Sequence, residues 1–179
     1  MNSFRRSKSR IIINQNNSND GLDKNTQNKT VSVPASGIKY PADWNELSEI
    51  PIQDKQAGVI SEAVHDTFDA KVIVRISQGK LDDNFDINKS LSDVTAKLNS
   101  DLSNFKLISK DIVKFGKHSA IVVTYQYTSN LQANKQSQII IPTQNKTYFL
   151  TLSAKSSDFD QINDFNKIKD SLSAYIDTH

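Results

Sequence analysis

Cysteine is absent from the 179 residues, which removes a disulfide framework, a thiolate zinc site, an iron–sulfur cluster and a cysteine nucleophile together. Glycine is scarce, with five in the chain, too few to build phosphate cradles. Ser77-Gln78-Gly79-Lys80 carries one of them and lacks P-loop spacing, and serines are plentiful without a Gly-x-Ser-x-Gly elbow. Long apolar runs are missing too. Ile11 to Ile13 is the longest aliphatic run in the first part of the chain, well short of the roughly 7–15 residues of a secretory core or the roughly 20 of a membrane span. Arg5 and Arg6 form a twin-arginine pair, but Ser7, Lys8, Ser9 and Arg10 follow where an export signal needs apolar residues. The chain as it stands is expected to be cytoplasmic, and extracytoplasmic if a longer N-terminus exists.

Charge is distributed unevenly. Residues 1–36 hold six cations (Arg5, Arg6, Lys8, Arg10, Lys24, Lys29) against Asp20 and Asp23, a net +4, which leaves −2 for residues 37–179. The pI near 8.7 therefore describes a basic appendage on a slightly acidic body, and does not make that body a nucleic-acid binder. Nine of the first thirty-six residues are hydrophobic, too few to offset an ordering cost of roughly 1–2 kcal/mol per residue. Residues 1–36 are expected to be a disordered polar tail and 37–179 a folded domain.

Within that domain the apolar period predicts the elements. Pro41 forces Tyr40 into extended geometry, so a short strand over 38–40 should end there, with a turn leading to Trp44 and a loop over 45–57. Strands follow at Val59–Val64 and Lys71–Ser77, joined through His65–Ala70. The period then lengthens. Leu91, Val94, Leu98, Leu102 and Phe105 lie along one side of a helix that Ser90 and Asp93 would open as a capping box and that should end near Asn104. Lys106–Lys114 leads to a turn at Phe115-Gly116-Lys117, after which Ile121, Val123, Tyr125 and Tyr127 alternate along a strand. Gln138–Ile141 is stopped by Pro142, and Thr147–Ser153 returns after the turn at Thr143–Lys146. A closing helix is signalled from Ser157 and carries Phe159, Ile162, Phe165, Ile168, Leu172 and Tyr175 on one stripe. Strands with apolar residues on both faces need cover on both, so this order predicts an α+β fold: an α/β/α sandwich on a mostly antiparallel sheet of six or seven strands.

Tyr40-Pro41-Ala42-Asp43-Trp44, Phe115-Gly116-Lys117-His118-Ser119-Ala120 and Lys146-Thr147-Tyr148-Phe149-Leu150-Thr151, taken in this order of elements, resemble the PsbP family over residues 37–177. The resemblance implies the α/β/α sandwich that PsbP shares with a small Ran-binding protein of nuclear import. It also implies a non-catalytic role of docking on larger protein assemblies; separately, no cofactor is expected. No residue here matches that family's metal-associated positions, so none is carried over.

The chemical constellations are sparse. His65, His118 and His179 lack the spacing of a metal site. A His65–Asp66 pair could in principle orient a general base, but a solvent-exposed loop pair is the expected reading. Asp82, Asn84 and Asp86 space like the opening ligands of a calcium loop, but Ile87 replaces the turn glycine and Asp93 the bidentate glutamate, which leaves solvation and helix capping as their role. The four Asn-x-Ser/Thr sequons match what 17 Asn and 32 Ser and Thr give by chance, so they carry no signal. Candidate contact residues are Arg5, Arg6, Lys8 and Arg10 in the tail and Tyr40 and Trp44 in the body. The expected function is docking to a protein partner. Its rivals are an enzyme or small-ligand site in a cleft near Trp44, and a tail that tethers the protein to nucleic acid or anionic membrane.

Overall fold

The computed structural model describes residues 36–179. Its elements are β1 (Trp44–Glu46), α1 (Ile52–Gln56), β2 (Val59–His65), β3 (Ala70–Gln78), α2 (Ile87–Asp101), β4 (Lys106–Phe115), β5 (His118–Ser129), β6 (Gln132–Pro142), β7 (Lys146–Lys155), a 3-10 turn (Phe159–Gln161) and α3 (Phe165–Thr178). The seven strands form one sheet in the order β1-β2-β3-β7-β6-β5-β4, antiparallel at every pairing. After β3 the chain crosses through α2 to the far edge, then returns by three hairpins until β7 lies beside β3.

Side-chain alternation divides the core into two layers. Val72 and Val74 of β3, Ile139 and Ile141 of β6, and Tyr148, Leu150 and Leu152 of β7 point to one side, where they bury Ile168, Leu172 and Ile176 of α3. Ile121, Val123 and Tyr125 of β5 and Ile140 of β6 point to the other side, onto Ile87, Leu91, Val94 and Leu98 of α2. Each fully buried aliphatic side chain of α3 contributes about 1.5–3 kcal/mol, whereas the α2 stripe is only partly buried against its face of the sheet. The α/β/α sandwich is therefore the fold, with its helices on opposite faces.

Several local expectations are corrected. The first strand is not 38–40: Trp44 N–H bonds Pro41 O at 3.0 Å, and the chain joins the sheet only after that turn, with Trp44 opposite His65. The supposed loop over 45–57 includes part of β1 and all of α1. Helix α2 begins before Ser90 because Asp86 is its N-cap, accepting from Asn88 N–H at 2.8 Å and Lys89 N–H at 3.2 Å. Asp93 pairs with Lys89 Nζ at 2.6 Å, so no capping box forms. These local hydrogen bonds hold the Asp86 carboxyl below its ordinary range. Asp82 accepts from Asn84 N–H at 3.0 Å, so two of the three residues with calcium-loop spacing serve turn and cap. The closing helix is interrupted. Ile162 is extended, and α3 proper starts at Phe165, after Asp164.

Candidate functional site

The interruption before α3 brings Asp164 to Trp44. The residue stands at the N-cap position of α3 but makes no side-chain capping bond. Its carboxylate instead accepts the indole N–H of Trp44, at 3.0 Å to Oδ1 and 3.1 Å to Oδ2. Trp44 is 4% exposed. It meets His65 edge to face, with ring centroids 5.0 Å apart, and His65 in turn meets Phe68 at 4.9 Å. Three chain segments distant in sequence thus converge at the β1–β2 end of the sheet.

A ring nitrogen of His65 and one carboxylate oxygen each from Asp43 and Asp164 lie within 4.8 Å of one another, a spacing three metal ligands could share. The hydrogen bonding of the imidazole argues otherwise. His65 Nδ1 accepts backbone N–H from Thr67 at 3.1 Å and from Phe68 at 3.3 Å, so in the neutral ring the proton resides on Nε2. A metal-bound histidine has the reverse arrangement, in which its non-ligating nitrogen carries the proton and donates it outward. The trio suits a proton-donating imidazole among carboxylates better than it suits a cation. Asp66 is not the partner of His65, because its carboxylate takes the Asn45 side-chain amide. Asp43 and Asp164 are the carboxylates grouped with His65, a grouping that no local spacing reveals.

Beside His65 lies a shallow groove of about 410 Å³, lined by Val64, His65, Phe68, Lys71, Asn134 and Ser153 among others. Its polar groups already have partners. Lys71 Nζ pairs with Glu62 Oε1 at 3.1 Å, and Ser153 Oγ donates to Gln136 Oε1 at 3.0 Å.

Tyr40 belongs to a different network. Its hydroxyl bonds Ser61 Oγ at 2.7 Å; Ser61 Oγ donates to Glu46 Oε1 at 2.7 Å, and Ser36 Oγ donates to the same oxygen at 2.6 Å. A serine on a carboxylate has the contact distance of a nucleophile and its base. Ser61 is 0% exposed, however, so no substrate can approach it. The network ties residues 36–40 to β1 and β2, and burial raises the Tyr40 phenol far above its ordinary value. Arg5, Arg6, Lys8 and Arg10 lie outside the described residues.

Solved structures share this architecture. The chain superposes on LpqN of Mycobacterium tuberculosis, a protein involved in cell envelope biogenesis, with a TM-score of 0.56 and 19% identity, covering 74% of this chain and 78% of that one. It superposes on the cyanobacterial PsbP (CyanoP) of Synechocystis sp. PCC 6803 with a TM-score of 0.50 and 15% identity, covering 76% and 85%. The Ran-binding protein Mog1p of Saccharomyces cerevisiae aligns at a TM-score of 0.46 and 12% identity over 76% and 81% of the two chains, and adds nothing to the assignment. No protein-family model matches the chain, and no curated protein matches its sequence. At these identities the likeness is one of fold: the body has the PsbP-like fold that its sequence resembles.

Proposed function

We propose that residues 37–179 are a non-catalytic docking module for a protein partner, and that Arg5, Arg6, Lys8 and Arg10 add electrostatic attraction from the N-terminal segment. One observation carries this reading. The polar groups gathered around Tyr40 and Trp44 are engaged in internal hydrogen bonds, and the one serine resting on a carboxylate there, Ser61, is sealed from solvent. Such a corner is rigid and already satisfied, which suits a recognition surface that binds without rearranging. In this reading Tyr40 and Trp44 hold the contact surface in shape from beneath.

The test is affinity capture with the full chain, identification of what is retained, and titration of that protein in purified form against the wild type and a variant with Arg5, Arg6, Lys8 and Arg10 all changed to Ser. Retention of one partner by both, with the variant weaker and less sensitive to salt, is the expected result. If no protein is retained above a bait of similar charge, the module reading fails. A tether to nucleic acid or anionic membrane would instead show as binding to DNA or anionic vesicles that disappears in the variant.

The groove beside His65 favours a second reading, in which a small polar ligand binds there. Ligand-induced shifts confined to His65, Phe68 and Lys71 in a nuclear magnetic resonance screen would support it over docking.

A further inference from the structure

The two edges of the sheet are very unequal. At one end β1 spans three residues; at the other β4 spans ten, and Lys106 through Asp111 are all exposed. The two-residue turn at Gly116-Lys117 makes Phe115 and His118 a hydrogen-bonded pair, so alternation turns the backbone groups of Lys110, Ile112 and Lys114 away from β5. The Ile112 N–H bonds the Asp111 side chain at 2.7 Å, a contact that an incoming strand would replace. Leu107, 36% exposed, and Ile108, 44% exposed, form an apolar ledge at a bulge near the start of the strand. Lys106, Lys110 and Lys114 recur along this edge, and none has a carboxylate partner among the described residues.

We infer that the free edge of β4 accepts an extended, acidic segment of a partner protein as an eighth strand. The inference rests on the docking reading and gives it a location and a chemistry. Main-chain groups of β4 supply the pairing, Lys110 and Lys114, which share one face, select carboxylates on the matching face of the added strand, and the Leu107–Ile108 ledge receives an apolar side chain, while the bulge turns Lys106 to the other face. The same charges disfavour a second copy of this chain in the registers centred on residues 110 to 112. Two-fold antiparallel pairing about Lys110 sets Lys110 against Lys110 and Lys106 against Lys114; centring it on Asp111 opposes two aspartates, and centring it on Ile112 opposes Lys110 and Lys114.

The experiment uses the full-length, isotope-labelled protein and a synthetic eight-residue peptide of alternating Glu and Val, with two control peptides. One replaces Glu by Lys, and the other is methylated at alternate backbone nitrogens. Shifts confined to the amides of residues 106–115, with slowed exchange at Lys110, Ile112 and Lys114, are expected for the Glu-Val peptide alone. Lys110→Glu should weaken binding about fivefold or more, the scale set by replacing a favourable cross-strand charge pair with a like one. Ile112→Pro, which removes the outward N–H together with its bond to the Asp111 side chain, should also weaken binding, and a thermal melt that stays cooperative shows the variant is folded. Absence of binding by the Glu-Val peptide, or equal binding by the methylated one, overturns the inference. So does a protein that dimerises through β4. If a captured partner binds Lys110→Glu and Ile112→Pro as tightly as wild type, the edge assignment is wrong while docking stands; if nothing is captured at all, docking itself falls.

Discussion

Replacing Trp44 by alanine removes the largest side chain at the β1–β2 corner, one that is 4% exposed and bridges β1, His65 and Asp164. Truncating a buried tryptophan costs about 3–5 kcal/mol, a large share of the roughly 5–15 kcal/mol that holds an ordinary domain together. Trp44→Phe separates the two contributions, because it keeps most of the apolar area and loses the N–H donated to Asp164. Its cost should be about 1–2 kcal/mol, toward the low end for a hydrogen bond to a charged group, since Asp164 is only half-buried and water can replace the indole. The assay is urea unfolding followed by far-ultraviolet circular dichroism, because Trp44 is the sole tryptophan and its fluorescence disappears with it. With an unchanged slope of about 2 kcal/mol/M, Trp44→Ala should move the midpoint down by about 2 M. A loss under about 1 kcal/mol for the alanine variant, or equal losses for alanine and phenylalanine, refutes the reasoning. The first outcome would make Trp44 a surface contact residue; the second would make the Asp164 bond the whole of its contribution.

Gly58→Ala should destabilise by about 1–3 kcal/mol in the same assay, since φ is +86° and an added Cβ would sit 2.1 Å from the Ile76 carbonyl oxygen. Asp86→Ala should lower the melting temperature and speed amide exchange at Asn88 and Lys89; because folding depresses this carboxyl, its contribution in the wild type is present above the unfolded-state pKa and disappears as pH falls through the folded value. Tyr40 behaves in the opposite sense: its phenol is raised by burial, so the unfolded chain releases that proton first and stability declines as pH rises above about 10. Tyr40→Phe should make that alkaline decline shallower and cost about 0.5–1.5 kcal/mol at neutral pH, measured by paired urea titrations.

The layers were legible wherever burial imposes a period. Ile121, Val123 and Tyr125 alternate because one face of β5 is covered by α2, and Leu91, Val94 and Leu98 repeat because one face of α2 is covered in return. Where the neighbours impose the structure instead, the pattern is silent. Residues 132–137 are polar apart from Ala133, yet they are strand because β5 and β7 pair with them from both sides. The turn before them is Asn130-Leu131, both at positive φ, with a leucine where the usual signal is glycine. The site was legible only as its most conspicuous members. Trp44 and Tyr40 stand out as large aromatics after and before a proline, whereas Asp164, Ser61 and Glu46 earn notice only when the fold brings them together. Asp164 reads from sequence as part of one continuous closing helix, and its real partner lies in the first strand.

The place of β7 between β3 and β6 has a consequence for biosynthesis. The hairpin of β2 and β3 is translated early, but its other neighbour is the last strand of the chain. While the ribosome is still making the middle of the protein, β3 presents a bare rim of nine residues to the cell, and the two halves of the sheet have no seam between them. Such distant pairing raises the contact order, so this sheet should form more slowly than a helical bundle of equal length.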